Sequence, residues 1–195
     1  VTTTGSIIIG SMAAFTFSKS KLKGAKICFI VITTMMLYNG ATLGVPQYLI
    51  FSKLGLIDTY WVYILPSLAS TVHCFLMKQF MDASVNQSLL EAARIDGANE
   101  WTILWKIAMP AVKPAWLTML MTSVQGMWGI SASTVIFTES KKPLQYALSQ
   151  IAAGGIARTG SAAAITLIMI LPPLTIFIIC QTNILDTMAS SGLKD

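Results

Sequence analysis

The sequence predicts an all-α fold, a polytopic bundle of transmembrane helices, and three observations carry this prediction. The chain is 54% hydrophobic and only 11% charged, whereas soluble domains carry about 25% charged residues. Its mean hydropathy is +0.69. Nearly uncharged stretches of about 18 or more residues, the length that crosses a bilayer core, recur along the whole chain.

Five such spans are predicted, and together they form a single transmembrane domain over residues 1–195. The first is Val1 to Ser18, and the other four lie within Ile27 to Ser52, Thr59 to Met77, Pro114 to Thr138 and Thr159 to Leu185. Gly, Ser and Thr are frequent inside them, which is typical of helices that pack on other helices in lipid. Prolines inside the second, third and fifth spans predict kinks or breaks in those helices.

The basic residues predict how the chain is oriented in the membrane. A formal charge of +5 could serve nucleic-acid binding, but the lysines lie beside apolar runs, which favours lipid headgroups and no nucleic acid. Four of them crowd the first loop: Lys19, Lys21, Lys23 and Lys26. We therefore expect this loop and residues 82–113 on the cytoplasmic side. Residues 53–58 and 139–158 would be external, although the second of these loops is also basic.

The sequence offers no constellation for catalysis, a cofactor or a metal. It has no Gly-rich phosphate-binding loop, and one histidine supports little acid–base chemistry. Cys28, Cys74 and Cys180 are separated in apolar surroundings, so we predict buried thiols and no metal site. His73 lies inside a span, where it either contacts a transported solute or pairs two helices through a hydrogen bond.

The polar loop over residues 82–113 predicts two short helices at the membrane face. A capping box would begin the first helix, formed either by Ser84 with Gln87 or by Ser88 with Glu91. The sequence does not choose between them. One side of this first helix is apolar or small, through Leu89, Leu90, Ala92, Ala93 and Ile95.

A turn and a second helix follow in the same loop. Gly97 permits a left-handed turn at the end of the first helix, and Asn99 can cap the second. The predicted apolar face of the second helix consists of Trp101, Leu104, Trp105 and Ala108. Pro110 and Pro114 end it before the next span. Such a pair either docks a partner protein or lies in the membrane interface with no partner.

The residues of this loop resemble a known motif. Glu91-Ala92-Ala93-Arg94-Ile95-Asp96-Gly97-Ala98, followed by Ile107-Ala108-Met109-Pro110, resembles the EAA loop of ABC importer permeases, where E-A-A and a glycine precede I-x-L-P. Residues 54–59, 75–80, 143–148 and 187–195 are similar to the carbohydrate, maltose-type class. Met109 replaces the usual Leu. Gly129 follows Trp128 where many members have Asn.

The resemblance implies a permease of type I ABC importer fold with six helices, of which this chain would lack the first. A natural five-helix form is the alternative. It also implies that residues 82–113 are a cytoplasmic coupling loop for an ATPase. The implied coupling residues are Glu91, Ala92, Ala93, Asp96, Gly97, Ala98, Ile107 and Pro110. The expected partners in a bacterial plasma membrane are an ABC ATPase dimer, a second permease subunit, an extracellular binding protein and a sugar.

Polar and aromatic residues inside the spans are candidates to line a transport pathway. They are Asn39, Gln47, Gln125, Trp128 and Ser131. Amide groups and aromatic faces suit sugar rings, but the same residues can simply pair helices. Two other functions stay open at this point: a permease for an amino acid or peptide, and a channel outside the ABC class.

Overall fold

The computed structural model describes residues 1–19, 23–38, 40–130, 135–152 and 159–192. Lys21, Asn39 and Ser131 lie outside these residues. The α-helices are α1 Thr2–Lys19, α2 Ala25–Met35, α3 Gly40–Lys53, α4 Trp61–Leu68, α5 Thr71–Ser84, α6 Gln87–Ile95, α7 Glu100–Thr102, α8 Met109–Ala111, α9 Lys113–Trp128, α10 Leu144–Ala152 and α11 Thr159–Gly192. A π-helical segment, Ile103–Ala108, joins α7 to α8, and a 3₁₀ turn spans Glu139–Lys141.

All regular structure in the described part of the chain is helical, so the all-α prediction is confirmed. The first, fourth and fifth predicted spans correspond to α1, α9 and α11. The second and third are each divided into two helices, α2 with α3 and α4 with α5. The third divides where α4 ends, two residues after Pro66, and Ser70 caps α5 by accepting a hydrogen bond from the His73 amide at 3.3 Å.

The other internal prolines do not break their helices. Helix α3 continues through Pro46, and α11 continues through Pro172 and Pro173. By length and composition, one helical stretch of the described residues can cross a membrane, the 22-residue Gly160–Gln181 with a mean hydropathy of 2.5. Ala25–Met35 is apolar but shorter. The number of five spans therefore stays a prediction.

Helix α1 lies at the centre of the helix packing, against α4, α5 and α9. Its buried face is made mostly of small residues, Ser6, Gly10, Ser11 and Ala14, with Phe15 near the loop end. A Cβ atom placed on Gly10 would lie 3.1 Å from Met119 Cε and 3.4 Å from His73 Cβ. Small residues that allow backbones to approach closely are the usual means of helix association in lipid.

The buried apolar core lies at the end of the bundle where α1 and α5 terminate. It is built from α1, α5, α6, the π-helical segment, α8 and α9. Its buried members are Ala14, Phe15, Met77, Met81, Val85, Leu90, Ile103, Leu104, Ala108, Met109, Val112, Ala115 and Met119. The core thus connects three long helices to the polar loop of residues 82–113.

Polar contacts hold the ends of α1 and α5 together beside this core. Ser18 Oγ donates to Asp82 Oδ1 at 2.5 Å, and Lys78 Nζ donates to Asp82 Oδ2 at 2.5 Å. Lys19 Nζ donates to the carbonyl of Val85 at 2.8 Å. The start of the loop is therefore fixed against α1.

At the opposite end of the bundle, Asp58 joins two segments that are far apart in sequence. Its carboxylate accepts hydrogen bonds from the amides of Phe137 and Thr138 at 3.1 and 3.0 Å, and from the Thr138 hydroxyl at 2.5 Å. These bonds, with that from the Thr138 side chain the strongest, hold the pKa of Asp58 well below its usual range. Asp58 has a φ of 58°, so this turn adopts the left-handed conformation without a glycine.

We predict that Gly10→Leu destabilises the helix bundle by about 1–3 kcal/mol, because the added side chain must displace Met119 or the α5 backbone. Gly44→Leu in α3 is the matched control, since a Cβ there meets nothing within 4 Å. It should instead gain about 0.8 kcal/mol of helix propensity. Thermal unfolding in detergent measures both variants. Equal unfolding temperatures for the two would contradict the close packing of α1.

Candidate functional site

Helix α6 begins at a cap that the sequence interpretation missed. Asn86 Oδ1 accepts hydrogen bonds from the Ser88 amide at 3.1 Å and from Ser88 Oγ at 3.0 Å. Both predicted capping boxes are therefore wrong: Ser84 is the last residue of α5, and Ser88 already lies inside α6. Asn is among the best N-cap residues, and here it lies directly before the first helical residue, Gln87.

The end of α6 is a Schellman turn at Gly97. The Ala98 amide donates to the carbonyl of Ala93 at 3.0 Å, and the Gly97 amide donates to that of Arg94 at 3.1 Å. Gly97 has a φ of 81°, and a Cβ there would meet nothing within 4 Å. The requirement for glycine is therefore conformational and not steric. Ala93 and Ala98 complete the turn by packing together against the core.

A bidentate ion pair spans the turn and connects the two short helices. Arg94 Nε lies 2.7 Å from Glu100 Oε1, and Arg94 Nη2 lies 3.1 Å from Glu100 Oε2. These hydrogen bonds raise the pKa of Arg94 and lower that of Glu100. Asn99 Oδ1 accepts from the Thr102 amide at 2.7 Å, which confirms the predicted cap of the second helix. The angle between α6 and α7 is thus fixed by side chains as well as by Gly97.

The second helix of the loop winds as a π-helix over Ile103–Ala108, which the sequence did not predict. Its wider winding places Ile103 and Ala108, five residues apart, on the same buried face with Leu104. Trp101 was expected on that face but is 55% exposed and lies edge-on to Trp105, with ring centroids 6.2 Å apart. Single π-helical turns are frequent at functional sites.

The predicted coupling residues divide into a partly buried set and an exposed set. Ala93, Ala98 and Ile107 are partly buried and pack against the core. Five others are exposed: Glu91, Ala92, Asp96, Gly97 and Pro110. The carboxylate of Glu91 accepts a hydrogen bond from Gln87 Nε2 at 3.4 Å.

Helix α6 therefore has two distinct faces. Leu90 is fully buried and attaches the helix to the core. On the other side Leu89 is 53% exposed and Ile95 is 86% exposed, with Ala92 between them. We call Leu89, Glu91, Ala92 and Ile95 the outer face of α6. It is a mostly apolar surface, supported from behind by the core, and such surfaces are typical of protein interaction sites.

The described candidate pathway residues lie in different surroundings: one lines a cavity, one pairs two helices and one is exposed. Gln47 is exposed and lines a cavity of about 550 Å³ between α1, α3, α4, α5 and α9. Trp128 Nε1 donates to the carbonyl of Met169 at 2.8 Å, so this residue pairs α9 with α11. Gln125 is exposed, and its carbonyl accepts the Gly129 amide at 2.9 Å. The pathway assignments stay predictions.

His73 lies in the wall of the same cavity and is 6% exposed. Its Nε2 atom is 3.1 Å from Thr122 Oγ1 and 3.4 Å from Ser123 Oγ. Ser6 Oγ lies 3.2 Å from Ser123 Oγ. Sequence interpretation singled out His73 but not these hydroxyl partners, because no local pattern connects residues of three different helices. No cluster of three metal-ligating side chains occurs in the described part of the chain. Cys74 and Cys180 are buried as predicted, but Cys28 is exposed, so the prediction of a buried thiol is wrong there.

We predict that Gly97→Ala speeds hydrogen exchange of the Ala98 amide about fivefold, because a non-glycine residue at this φ costs about 1 kcal/mol. Gly97→Asn is the matched control and should exchange more slowly than Gly97→Ala, since Asn tolerates the left-handed region. Exchange in the detergent-solubilised protein, followed by mass spectrometry, measures both. Wild-type protection in Gly97→Ala would mean that the turn does not depend on this conformation.

Comparison with known proteins agrees with the family resemblance noted in the sequence. Protein LplC of Bacillus subtilis (strain 168) is 33% identical over 140 residues, which cover 71% of this chain and 46% of LplC. The chain thus spans about half the length of that relative. The galactooligosaccharides transport system permease protein GanQ of the same strain is 28% identical over 199 residues, covering 99% of this chain and 70% of GanQ.

A solved structure has the same fold. It is the crystal structure of a bacterial ABC transporter involved in the import of the acidic polysaccharide alginate, with a TM-score of 0.78 at 24% identity. The match covers 92% of this chain and 70% of the solved chain. The resemblance to an ABC importer permease fold is therefore confirmed. A family model for the inner membrane component of binding-protein-dependent transport systems matches residues 6–189, and the chain belongs to this family.

Proposed function

We propose that this chain is a permease subunit of an ATP-driven ABC importer and forms, with a second permease subunit, the membrane pathway for a sugar. The observation that carries the proposal is the outer face of α6, an exposed and mostly apolar surface on a helix that is fixed to the core. The membership of the family and the names of relatives such as GanQ support a transport role. The name of GanQ favours a carbohydrate over an amino acid or peptide.

The coupling role rests on how rigidly the loop is attached. Leu90, Ile103 and Leu104 lie in the same core as residues of α1, α5 and α9. A displacement of α6 by a partner would therefore reach the long helices directly, without being absorbed by a flexible connection. Coupling requires that the partner contacts this face differently in two states of the importer.

The chemistry of the outer face indicates what the partner must offer. Ile95 and Leu89 require an apolar recess, and the exposed carboxylate of Glu91 would meet a basic group at its edge. Arg94 and Glu100 neutralise each other within the loop, so they add little net charge to the contact. We assign this partner as an ABC ATPase dimer that hydrolyses ATP, while the permease itself carries no catalytic site.

The remaining partners and the location follow from the same proposal. The chain is a multi-pass protein of the bacterial plasma membrane, with residues 82–113 in the cytoplasm. An extracellular binding protein delivers the sugar to the external side. The Asp58 turn and residues 135–141 would lie on that side and form part of the surface that faces the binding protein.

Uptake of labelled galactotriose by cells with and without the full-length gene tests the proposal. We expect ATP-dependent uptake only when the gene is present, and a labelled tripeptide serves as the alternative cargo. Uptake of the tripeptide but not of the sugar would show that the cargo is a peptide. Failure of the permease to co-purify with any ATPase subunit would contradict the importer assignment itself.

We further predict that Ile95→Glu lowers sugar uptake at least about fivefold, because a charge would be desolvated at the centre of the docking contact. Since Ile95 is 86% exposed, the substitution should not lower the amount of permease in the membrane. Ile95→Val is the matched control and should retain most of the uptake. Normal uptake by Ile95→Glu would show that the outer face of α6 is not part of the docking surface.

A further inference from the structure

A groove between α1 and α9 opens beside the loop of residues 82–113, on a different side of α1 from His73. Its volume is about 650 Å³, within the range of sites for small molecules. We call it the α1–α9 groove. Its apolar lining comes from α1, α9 and the loop, namely Ile7, Ile8, Trp105, Met109, Trp116 and Leu120. Thr4 and Pro110 also line it and are exposed, so the groove opens to the surface of the chain.

The polar groups of the α1–α9 groove favour an occupant with negative charge. Lys113 is the one charged residue of the lining, is partly buried, and forms no ion pair with another described residue. Trp105 and Trp116 add indole N–H groups, which donate hydrogen bonds and cannot accept them. The lining contains no carboxylate that could neutralise the lysine. The groove therefore combines a long apolar surface with one positive charge.

Contacts between α1 and α9 show where along the groove this charge lies. Ser6 Oγ lies 3.2 Å from Ser123 Oγ, and a Cβ atom on Gly10 would lie 3.1 Å from Met119 Cε. Later residues of α1 therefore lie beside earlier residues of α9, and the two helices run antiparallel. Lys113, the first residue of α9, is thus at the loop end of the groove.

The length of the groove matches one leaflet of a bilayer. Thr4 precedes Ser6 by two residues, so it lies level with the residue two positions after Ser123. That level is about twelve residues from Lys113, or roughly 18 Å at 1.5 Å per residue. Half of a hydrocarbon core of about 30 Å is about 15 Å. An acyl chain whose headgroup lies at Lys113 would therefore follow the groove to about the middle of the membrane.

We propose that the α1–α9 groove binds an anionic phospholipid of the cytoplasmic leaflet, with its phosphate against Lys113 and one acyl chain beside Trp116 and Leu120. Basic pockets between membrane helices on the cytoplasmic side are suited to acidic headgroups, and tryptophan is enriched at the level of the headgroups. The proposal uses the cytoplasmic position of residues 82–113 and goes beyond the transport role, because it assigns a lipid ligand to the permease.

The first experiment tests the charge at the loop end of the groove. The complete importer, purified in detergent, is incubated with dioleoyl phosphatidylglycerol or dioleoyl phosphatidylcholine, and bound lipid is counted by native mass spectrometry. We expect wild type to bind phosphatidylglycerol about fivefold more tightly than phosphatidylcholine, and Lys113→Gln to lose this preference. Lys26→Gln is the matched control, since Lys26 is exposed in the first loop and does not line the groove.

Equal binding of the two lipids by wild type, or the same loss in both lysine variants, would show that general surface charge attracts the lipid. Either result would overturn the proposed site. The importer assignment would stand in both cases, because it is tested by uptake and not by lipid binding.

The second experiment tests the apolar part of the groove. Leu120→Trp fills part of it and leaves Lys113 unchanged. We expect phosphatidylglycerol to bind at least about fourfold more weakly, the change that corresponds to one methylene group excluded from an apolar site. Leu167→Trp on α11 is the control, because Leu167 is 68% exposed and lies outside the groove. Unchanged binding by Leu120→Trp would show that the acyl chain lies elsewhere.

A measurement on the wild-type importer needs no substitution and covers the case in which a variant does not assemble. Phosphatidylglycerol with a diazirine on one acyl chain is photo-cross-linked in inside-out vesicles, and the modified peptides are identified by mass spectrometry. We expect adducts within residues 3–8 or 116–120, and excess unlabelled phosphatidylglycerol should remove them. Adducts on α11 without any on α1 or α9 would overturn the proposal and indicate that a protein segment covers the groove.

Discussion

The close contact of α1 with α5 and α9 is the constraint on which both ends of the molecule depend. At Gly10 the three helices approach so closely that an added methyl group would press on Met119 and touch His73. Toward the loop, Ala14 and Phe15 of α1 enter the core that supports α6 and the π-helical segment. Toward the other end, Ser6 reaches Ser123 at the cavity wall. One helix face therefore positions both the candidate docking surface and the wall of the cavity beside His73.

This arrangement links the two sites mechanically. The loop is fixed to α1 through Lys19 and Val85 and to the core through Leu90, so it cannot move independently of the long helices. The cavity lies between α1, α3, α4, α5 and α9, and a shift of α1 against α5 would change its shape. Energy supplied at the outer face of α6 would thus act on the contacts of His73 through rigid, packed elements, as a coupled transition between two states requires.

Much of the local structure could be predicted from sequence because it depends on neighbouring residues alone. The left-handed turn at Gly97 and the cap at Asn99 need no long-range contact, and both were predicted. The cap at Asn86 was missed because several polar residues in a row can serve as caps, and the choice depends on where α5 ends. The π-helical winding was missed because the packing of Ile103 and Ala108 on one face is set by the core. The cavity joins Ser6, His73 and Ser123, which no spacing along the chain relates.

Cross-linking between the outer face of α6 and an ATPase subunit tests the proposed coupling role of this loop most directly. A cysteine at Ile95, in the full-length permease with Cys28→Ser, is treated with a bis-maleimide in inside-out vesicles of cells with the complete importer. A cysteine at Leu167 of α11, which is 68% exposed, is the control. We expect a permease–ATPase product from position 95 and none from position 167. A product from neither position, or labelling of position 95 from outside intact cells, would contradict the docking of an ATPase on this face.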